Sequence, residues 1–268
     1  MQAASRNALA AVRKNAGTDP AVGTAQVGHE LLSVSSLLGR EASLRNALTD
    51  NGASAQRRAE LARALLGDRI TPATMSVVAA AVSQRWSRSR DLVEALEELG
   101  AESMLAHAER EGRIDSVEEQ LFRFGRVLES SADLQIMLSD PGVPDATKSA
   151  VVGDLLAGRV EPETAEIVGH VVANPGGVSV AERLDHLVRL AATRREQLLA
   201  DVRVPVPLTT EQHERLAAAL RGVYGQPVTL AVSVDPTIVG GAVVRIGDEI
   251  IDGSVASRLA AARRTLTQ

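Results

Sequence analysis

The chain has 268 residues, a formal net charge of −5 and no cysteine. That length is enough for two domains, the charge gives no electrostatic case for binding nucleic acid, and the missing cysteines exclude a disulfide frame, a thiol nucleophile and a Cys-ligated metal site. Hydrophobic residues make up 45% of the sequence but aromatic ones only 1%, so the core must be filled by Leu, Val, Ile and Ala, as in helix-on-helix packing.

The amino terminus, Met1 to Lys14, carries charge early and has no apolar stretch of the secretory type. The longest uncharged stretches, such as Ile70 to Gln84, fall short of the roughly 20 apolar residues that a membrane span needs, and that one contains Thr71, Pro72, Thr74, Ser76 and Gln84. A soluble protein is expected, with any membrane association indirect, through a partner.

Sliding the sequence against itself by 90 positions exposes a repeat. Leu31 aligns with Leu121, Leu38 with Leu128, Leu44 with Leu134, Leu48 with Leu138, Asp50 with Asp140 and Gly52 with Gly142. The match runs on through Leu65-Leu66 with Leu155-Leu156, Arg69 with Arg159, Pro72 with Pro162 and Thr74 with Thr164. In each copy the first segment has helical spacing: Val27, Leu31, Val34 and Leu38 in one, Val117, Leu121, Phe124 and Leu128 in the other. Asp50-Asn51-Gly52 and Asp140-Pro141-Gly142 supply turns, and Leu61 with Leu65 and Val151 with Leu155 resume the period.

Pro72 and Pro162 stand where a helix can begin, because the first helical N–H needs no partner. The next apolar faces are Val77, Val78, Ala81 and Val82, matched by Ile167, Val168, Val171 and Val172. Val93, Leu96 and Leu99 close the first copy, while Leu184, Leu187 and Val188 close the second in a helix expected to reach about Leu199. The boundary between copies is placed near Glu111-Gly112, inside the charged stretch His107 to Asp115.

From Val202 the pattern alternates. Val202, Val204, Val206 and Leu208 share one face with Pro205 and Pro207 on the other, which predicts an edge strand, since proline donates no ladder hydrogen bond. Thr209 and Gln212 form a capping box for a helix carrying Leu216, Leu220 and Val223 and ending at Gly225. Val228, Leu230, Val232 and Val234 read as a strand, Ala242 to Ile246 and Glu249 to Asp252 as a hairpin turning at Gly247-Asp248, and Val255 to Leu266 as a final helix with Arg258, Arg263 and Arg264 on its polar side. The expected fold is mainly α: a helical bundle over 1–110, a related bundle over 111–200 and a small α+β segment over 201–268.

No catalytic, cofactor-binding or metal-binding residues are assigned. A P-loop needs Gly-Lys-Ser/Thr, and Lys14 and Lys148, the two lysines present, lie in no such loop. His29, His107, His170, His186 and His213 lack paired ligand spacing, and Ser254 lacks the setting of a nucleophile and reads as a helix cap. Gly240-Gly241 reads as relief of backbone crowding before a strand. Trp86 among Arg85, Arg88 and Arg90 reads either as an interface anchor or as a half-buried ring amid solvated arginines.

The tail carries a combination of segments in a specific order: 206–212 (Val206-Pro207-Leu208-Thr209-Thr210-Glu211-Gln212), 234–241 (Val234-Asp235-Pro236-Thr237-Ile238-Val239-Gly240-Gly241), 244–254 (Val244-Arg245-Ile246-Gly247-Asp248-Glu249-Ile250-Ile251-Asp252-Gly253-Ser254) and Arg258-Leu259. In these it resembles the delta subunit of bacterial F-type ATP synthases, the relative of the oligomycin-sensitivity-conferring protein. The resemblance is close over about Glu196 to Leu266 and looser over Glu102 to Arg195, and the extra helical copy departs from the common one-domain form towards the longer form of actinobacteria. It implies a non-catalytic peripheral-stalk subunit at the cytoplasmic face of the plasma membrane. Its helical part would bind amino-terminal segments of alpha subunits on the catalytic head, and its carboxy-terminal part would join the b-type stalk. Without the tail, the alternative is a free helical-repeat adaptor that holds cytosolic peptides in its grooves.

Overall fold

The computed structural model describes residues 1–16, 21–140, 142–174, 177–195, 198–224, 228–246 and 249–253. The chain divides into two compact units, one up to Arg195 and the other from Glu196 onward.

Eleven helices build the first unit among its described residues: α1 (Ala3–Ala16), α2 (Ala25–Arg40), α3 (Ala42–Leu48), α4 (Ala55–Leu66), α5 (Pro72–Ser83), α6 (Ser89–Arg110), α7 (Ile114–Ser130), α8 (Ala132–Ser139), α9 (Asp145–Leu156), α10 (Pro162–Ala173) and α11 (Val180–Arg195). The 90-residue offset holds helix by helix: α4 and α9, like α5 and α10, begin and end 90 residues apart. Pro72 and Pro162 each occupy the first turn of their helix, as the missing N–H predicts. The closing helix of the second copy stops at Arg195, and Leu198-Leu199, expected to extend it, open a strand instead. Helix α1 is additional to the repeat pattern, and Leu9 and Val12 bury its inner face.

The repeat extends to polar contacts that a hydrophobic pattern does not reveal. Glu30 reaches across to the start of α5 and accepts from the Thr71 N–H at 2.9 Å and from the Thr71 and Thr74 hydroxyls. Its counterpart Gln120 accepts from the Glu161 N–H and the Thr164 hydroxyl at the start of α10, both at 2.8 Å. Arg45 donates to the Leu38 and Gly39 carbonyls, and Gln135 to those of Leu128 and Glu129. Asp50 and Asp140 both accept the N–H of the glycine two residues on, Gly52 and Gly142. Arg58 is buried and gives all its donors to carbonyls, those of Val82, Ser83 and Gln84 at the end of α5 and of Asp50 and Ala53 in the preceding turn. Lys148, at the equivalent position, is buried as well.

Two cores divide this unit, and α6 belongs to both. Leu92, Val93, Leu96 and Leu99 pack into the first core, with Leu31, Leu38 and Leu48. Ala101, Met104, Leu105 and Ala108 pack into the second, with Leu121, Leu128 and Ile167. These four residues stand 96 positions beyond Ser5, Ala8, Leu9 and Val12, the buried face of α1. The last half of α6 therefore does for the second bundle what α1 does for the first. Helix α2 lies so close to α6 that a Cβ on Gly28 would meet the Met104 side chain at 2.8 Å and one on Gly100 would meet Leu32 at 2.9 Å. Glu111-Gly112 forms the turn into α7, with Gly112 at φ 68°.

The second unit contains β1 (Leu198–Val204), α12 (Thr210–Tyr224), β2 (Val228–Val234), β3 (Val243–Ile246) and β4 (Glu249–Asp252). The sheet order among its described strands is β2-β1-β3-β4, with β1 parallel to β2 and antiparallel to β3, and β3 antiparallel to β4. The strand expected at an edge is central instead. It starts four residues earlier than Val202 and ends at Val204, so Pro205 and Pro207 fall beyond the ladder and cost it no hydrogen bond. Val202 and Val204 are buried, while Val206, no longer in the strand, is exposed. The capping box of α12 forms in both directions, from the Thr209 N–H to the Gln212 side chain at 2.9 Å and from the Gln212 N–H to the Thr209 hydroxyl at 3.2 Å. Leu216 and Leu220 pack on Ala200, Val202, Leu230, Val244 and Ile246. Gly225, the turn at Gly247-Asp248, Ser254 and the predicted final helix, Val255 to Leu266, lie outside the described residues.

Candidate interaction site

Among the described residues, those weighed for chemistry have a structural setting or lie in no metal-binding cluster. Trp86 is 4% exposed and its indole N–H donates to the Ala81 carbonyl at 2.9 Å, so it fills the first core and offers no anchor to a partner. Gly240 and Gly241 have φ of 70° and 82°, a backbone conformation that explains both glycines without a ligand. Among the described residues no group of three or more His, Cys, Asp or Glu side chains could hold a metal ion, and no helix is long and apolar enough to cross a membrane.

Charged groups gather instead where the two bundles meet. His29 on α2 pairs with Glu166 on α10. Glu97 on α6 binds Arg183 at 3.0 Å and His170 at 3.4 Å, and His170 also faces the hydroxyls of Ser35 and Ser36 on α2. Arg13 on α1 bridges Glu98 and Glu102 on α6, and Glu98 also meets His186 on α11 at 3.4 Å. Arg194 reaches Glu109 at 2.8 Å. A cavity of about 340 Å³ opens along this seam, floored by Leu32, Ala101, Ile167 and Val171. Four of the five histidines thus sit in or beside ion pairs: His29, His107 near Glu163, His170 and His186. Sequence spacing could not find these partners, which lie many residues away.

The seam responds to pH through a pair with opposite shifts. The Glu98 hydrogen bond pushes the His186 ring above its ordinary value despite partial burial. Burial pushes the Glu98 carboxyl up, but His186 and Arg13 outweigh that and hold it below the usual range. The raised histidine contributes stability that is complete below about 6.5 and lost as pH rises through its folded pKa; the depressed carboxylate contributes stability that is lost as pH falls through its folded pKa. Wild-type protein should therefore lose more melting temperature between pH 6 and pH 8 than His186→Ala. The ring is half exposed, so the difference is small, on the order of tenths of a kcal/mol. Parallel thermal melts at the two pH values would show it, and a larger loss in the variant would refute the assignment.

Among the described residues the first unit presents helical surfaces and the second a small sheet with one helix. Residues 96–266 match the family model described as ATP synthase delta (OSCP) subunit. The chain is 44% identical to ATP synthase subunit delta of Streptomyces coelicolor, over 99% of this chain and 98% of that one. The chain belongs to the ATP synthase delta (OSCP) subunit family. It is also 43% identical to ATP synthase subunit delta of Frankia casuarinae, over 99% of each chain, and 43% identical to that of Nocardia farcinica, over 99% of this chain and all of that one.

For this delta-family chain, the start of the family match is informative. Position 96 falls inside α6, just before the stretch that serves the second core, so the match takes in one bundle with its first helix and the α+β unit. The first bundle lies almost wholly before it, yet the full-length relatives cover it. The extra copy is thus common to this chain and to those relatives.

Proposed function

We propose that this chain is the non-catalytic stator subunit of an F-type ATP synthase. It links the alpha subunits of the catalytic head to the b-type stalk, so that proton flow is coupled to ATP synthesis. The observation that carries the reading is the match to subunits named ATP synthase subunit delta over nearly the whole of both chains, extra bundle included. Free adaptors of cytosolic peptides would share neither that length nor the tail segments. In this reading the bundles over 1–110 and 111–200 serve the head through amino-terminal segments of alpha subunits, and 201–268 joins the stalk. The chain lies at the cytoplasmic face of the membrane and is held there by its partners.

Rotary catalysis requires the head to be kept still against torque, and a linker meets that need by binding alone. Tagged chain expressed in its own cells should co-purify with alpha, beta and b-type subunits from detergent-solubilised membranes. Tagged, folded chain recovered without them would count against the stator role and in favour of the free adaptor.

A further inference from the structure

Three of the chain's five histidines stand on one internal boundary. His29 on α2 pairs with Glu166 on α10, His170 on α10 with Glu97 in the first half of α6, and His186 on α11 with Glu98 beside it. Each pair therefore joins a segment that serves the first core to one that serves the second. The packing between these helices is loose. Besides the cavity of about 340 Å³ that His170 and His186 line, one of about 260 Å³ holds His29, and a groove of about 250 Å³ runs between α2 and α10 past His170, walled by Ser33, Ser36, Ala165 and Gly169. Close-packed apolar side chains hold an interface in one arrangement; here small residues and water-sized spaces leave that task to polar contacts. Of these, the contact of Arg183 with Glu97 keeps its charge throughout the physiological range, whereas an imidazole gains or loses one near neutrality.

The surroundings of the three rings fix the sign of the effect. His170 faces Glu97 from α6, the Ser35 and Ser36 hydroxyls from α2 and Asn174 on its own helix, while Arg183 of α11 shares Glu97. His186 faces Glu98 from α6, with Arg13 of α1 sharing that carboxylate and Arg189 on its own helix. His29 faces Glu166 in a cavity that also holds His107, Arg113 and Glu163. The arginines oppose a charge on the rings. Around the larger cavity, however, Glu94, Glu97, Glu98 and Glu182 outnumber Arg183 and the Met1 amine, so each imidazolium there adds attraction across the seam. We propose that His29, His170 and His186 form a proton-operated latch between the two bundles. Protonated, they hold α10 and α11 against α2 and the first half of α6; uncharged, they let the second bundle rock about α6. The upward shift of His186, caused first by its hydrogen bond to Glu98, has the sign this requires: its stabilising effect is complete at low pH and lost as pH rises through the folded pKa. In the stator reading, the stiffness of the linker would then depend on the proton concentration around it.

The latch is tested on the purified full chain, so its failure leaves the stator reading untouched. Leu32, Val171 and Leu187 line the largest of these cavities and are 4%, 4% and 7% exposed, so they meet solvent fully only when the seam opens. Hydroxyl-radical footprinting read by mass spectrometry at pH 6 and pH 8 reports the open fraction, with Leu31 and Leu121, each fully buried in one core, as references. Oxidation of the three seam residues should rise roughly threefold from pH 6 to pH 8 while the two references stay constant. The triple variant His29→Gln, His170→Gln, His186→Gln should show the pH 8 level at both values. Equal oxidation of the wild-type seam at the two pH values overturns the proposal, and so does a change of opposite sign. A rise shared by Leu31 and Leu121 would mean general loosening and would also overturn it, as would a pH response that survives in the triple variant. The wild-type comparison decides the matter even if that variant fails to fold.

Discussion

Ending the chain at Arg195 should abolish ATP-driven proton pumping in reconstituted membranes while ATP hydrolysis by the head continues. The cut falls before β1 and removes the second unit whole, and what remains keeps both of its own cores. The truncated protein should therefore still fold and melt as a helical protein. A linker that resists torque must be attached at both ends. Nanomolar attachment corresponds to roughly 12 kcal/mol, which several weaker contacts on linked modules can supply together through effective concentration. If the proposed stator role holds and the α+β unit is the stalk end, its loss would leave the head free to turn against the stalk. Retained pumping, with normal b-type subunit bound to the truncated chain, would show that the α+β unit is not the stalk connector.

The second large effect concerns the double role of α6. Leu31 and Leu121 are fully buried in the first and second cores, and truncating either to alanine should cost roughly 2 to 5 kcal/mol through the cavity left behind. Because α6 packs into both cores, both changes should lower the midpoint of one shared transition of the helical unit in urea. Two transitions, with Leu31→Ala moving one and Leu121→Ala the other, would mean that the bundles unfold independently and that the shared helix transmits little between them.

The repeat was legible in sequence because burial enforces identity: Leu31, Leu38, Leu48 and Leu66 recur at a fixed offset because each fills a closed site. Turn glycines, helix-opening prolines and the Thr209–Gln212 box were legible for similar local reasons. What escaped depends on position in space. Continuous helical periodicity through α6 cannot say where one core stops and the next begins, and the charged stretch from His107 marks a turn in the chain, not the division of the cores. Pro205 and Pro207 suggested an edge because the strand was read as running through them; the ladder stops one residue short. Glu30, Arg58 and Gln120 carry polar side chains that a hydrophobic pattern assigns to the surface, though each ties helices together from within. The cross-bundle partners of the histidines had no sequence signal at all, since the residues of each pair are drawn from different repeats or distant helices.

A helix held in common also fixes phase. Between Leu96 and Ala101 the backbone is unbroken helix, so the two bundles are set at one rotation about it and one distance along it. Each residue of an α-helix turns the chain by about 100° and advances it by about 1.5 Å. One residue inserted there would swing the second bundle more than a quarter turn around α6, carrying His170 and Glu166 away from α2. A flexible linker would absorb such a change in length; here an insertion or deletion that is not a whole number of turns is an angular error. The first bundle could therefore be gained or lost during evolution without disturbing the rest only by a splice that keeps the helical register.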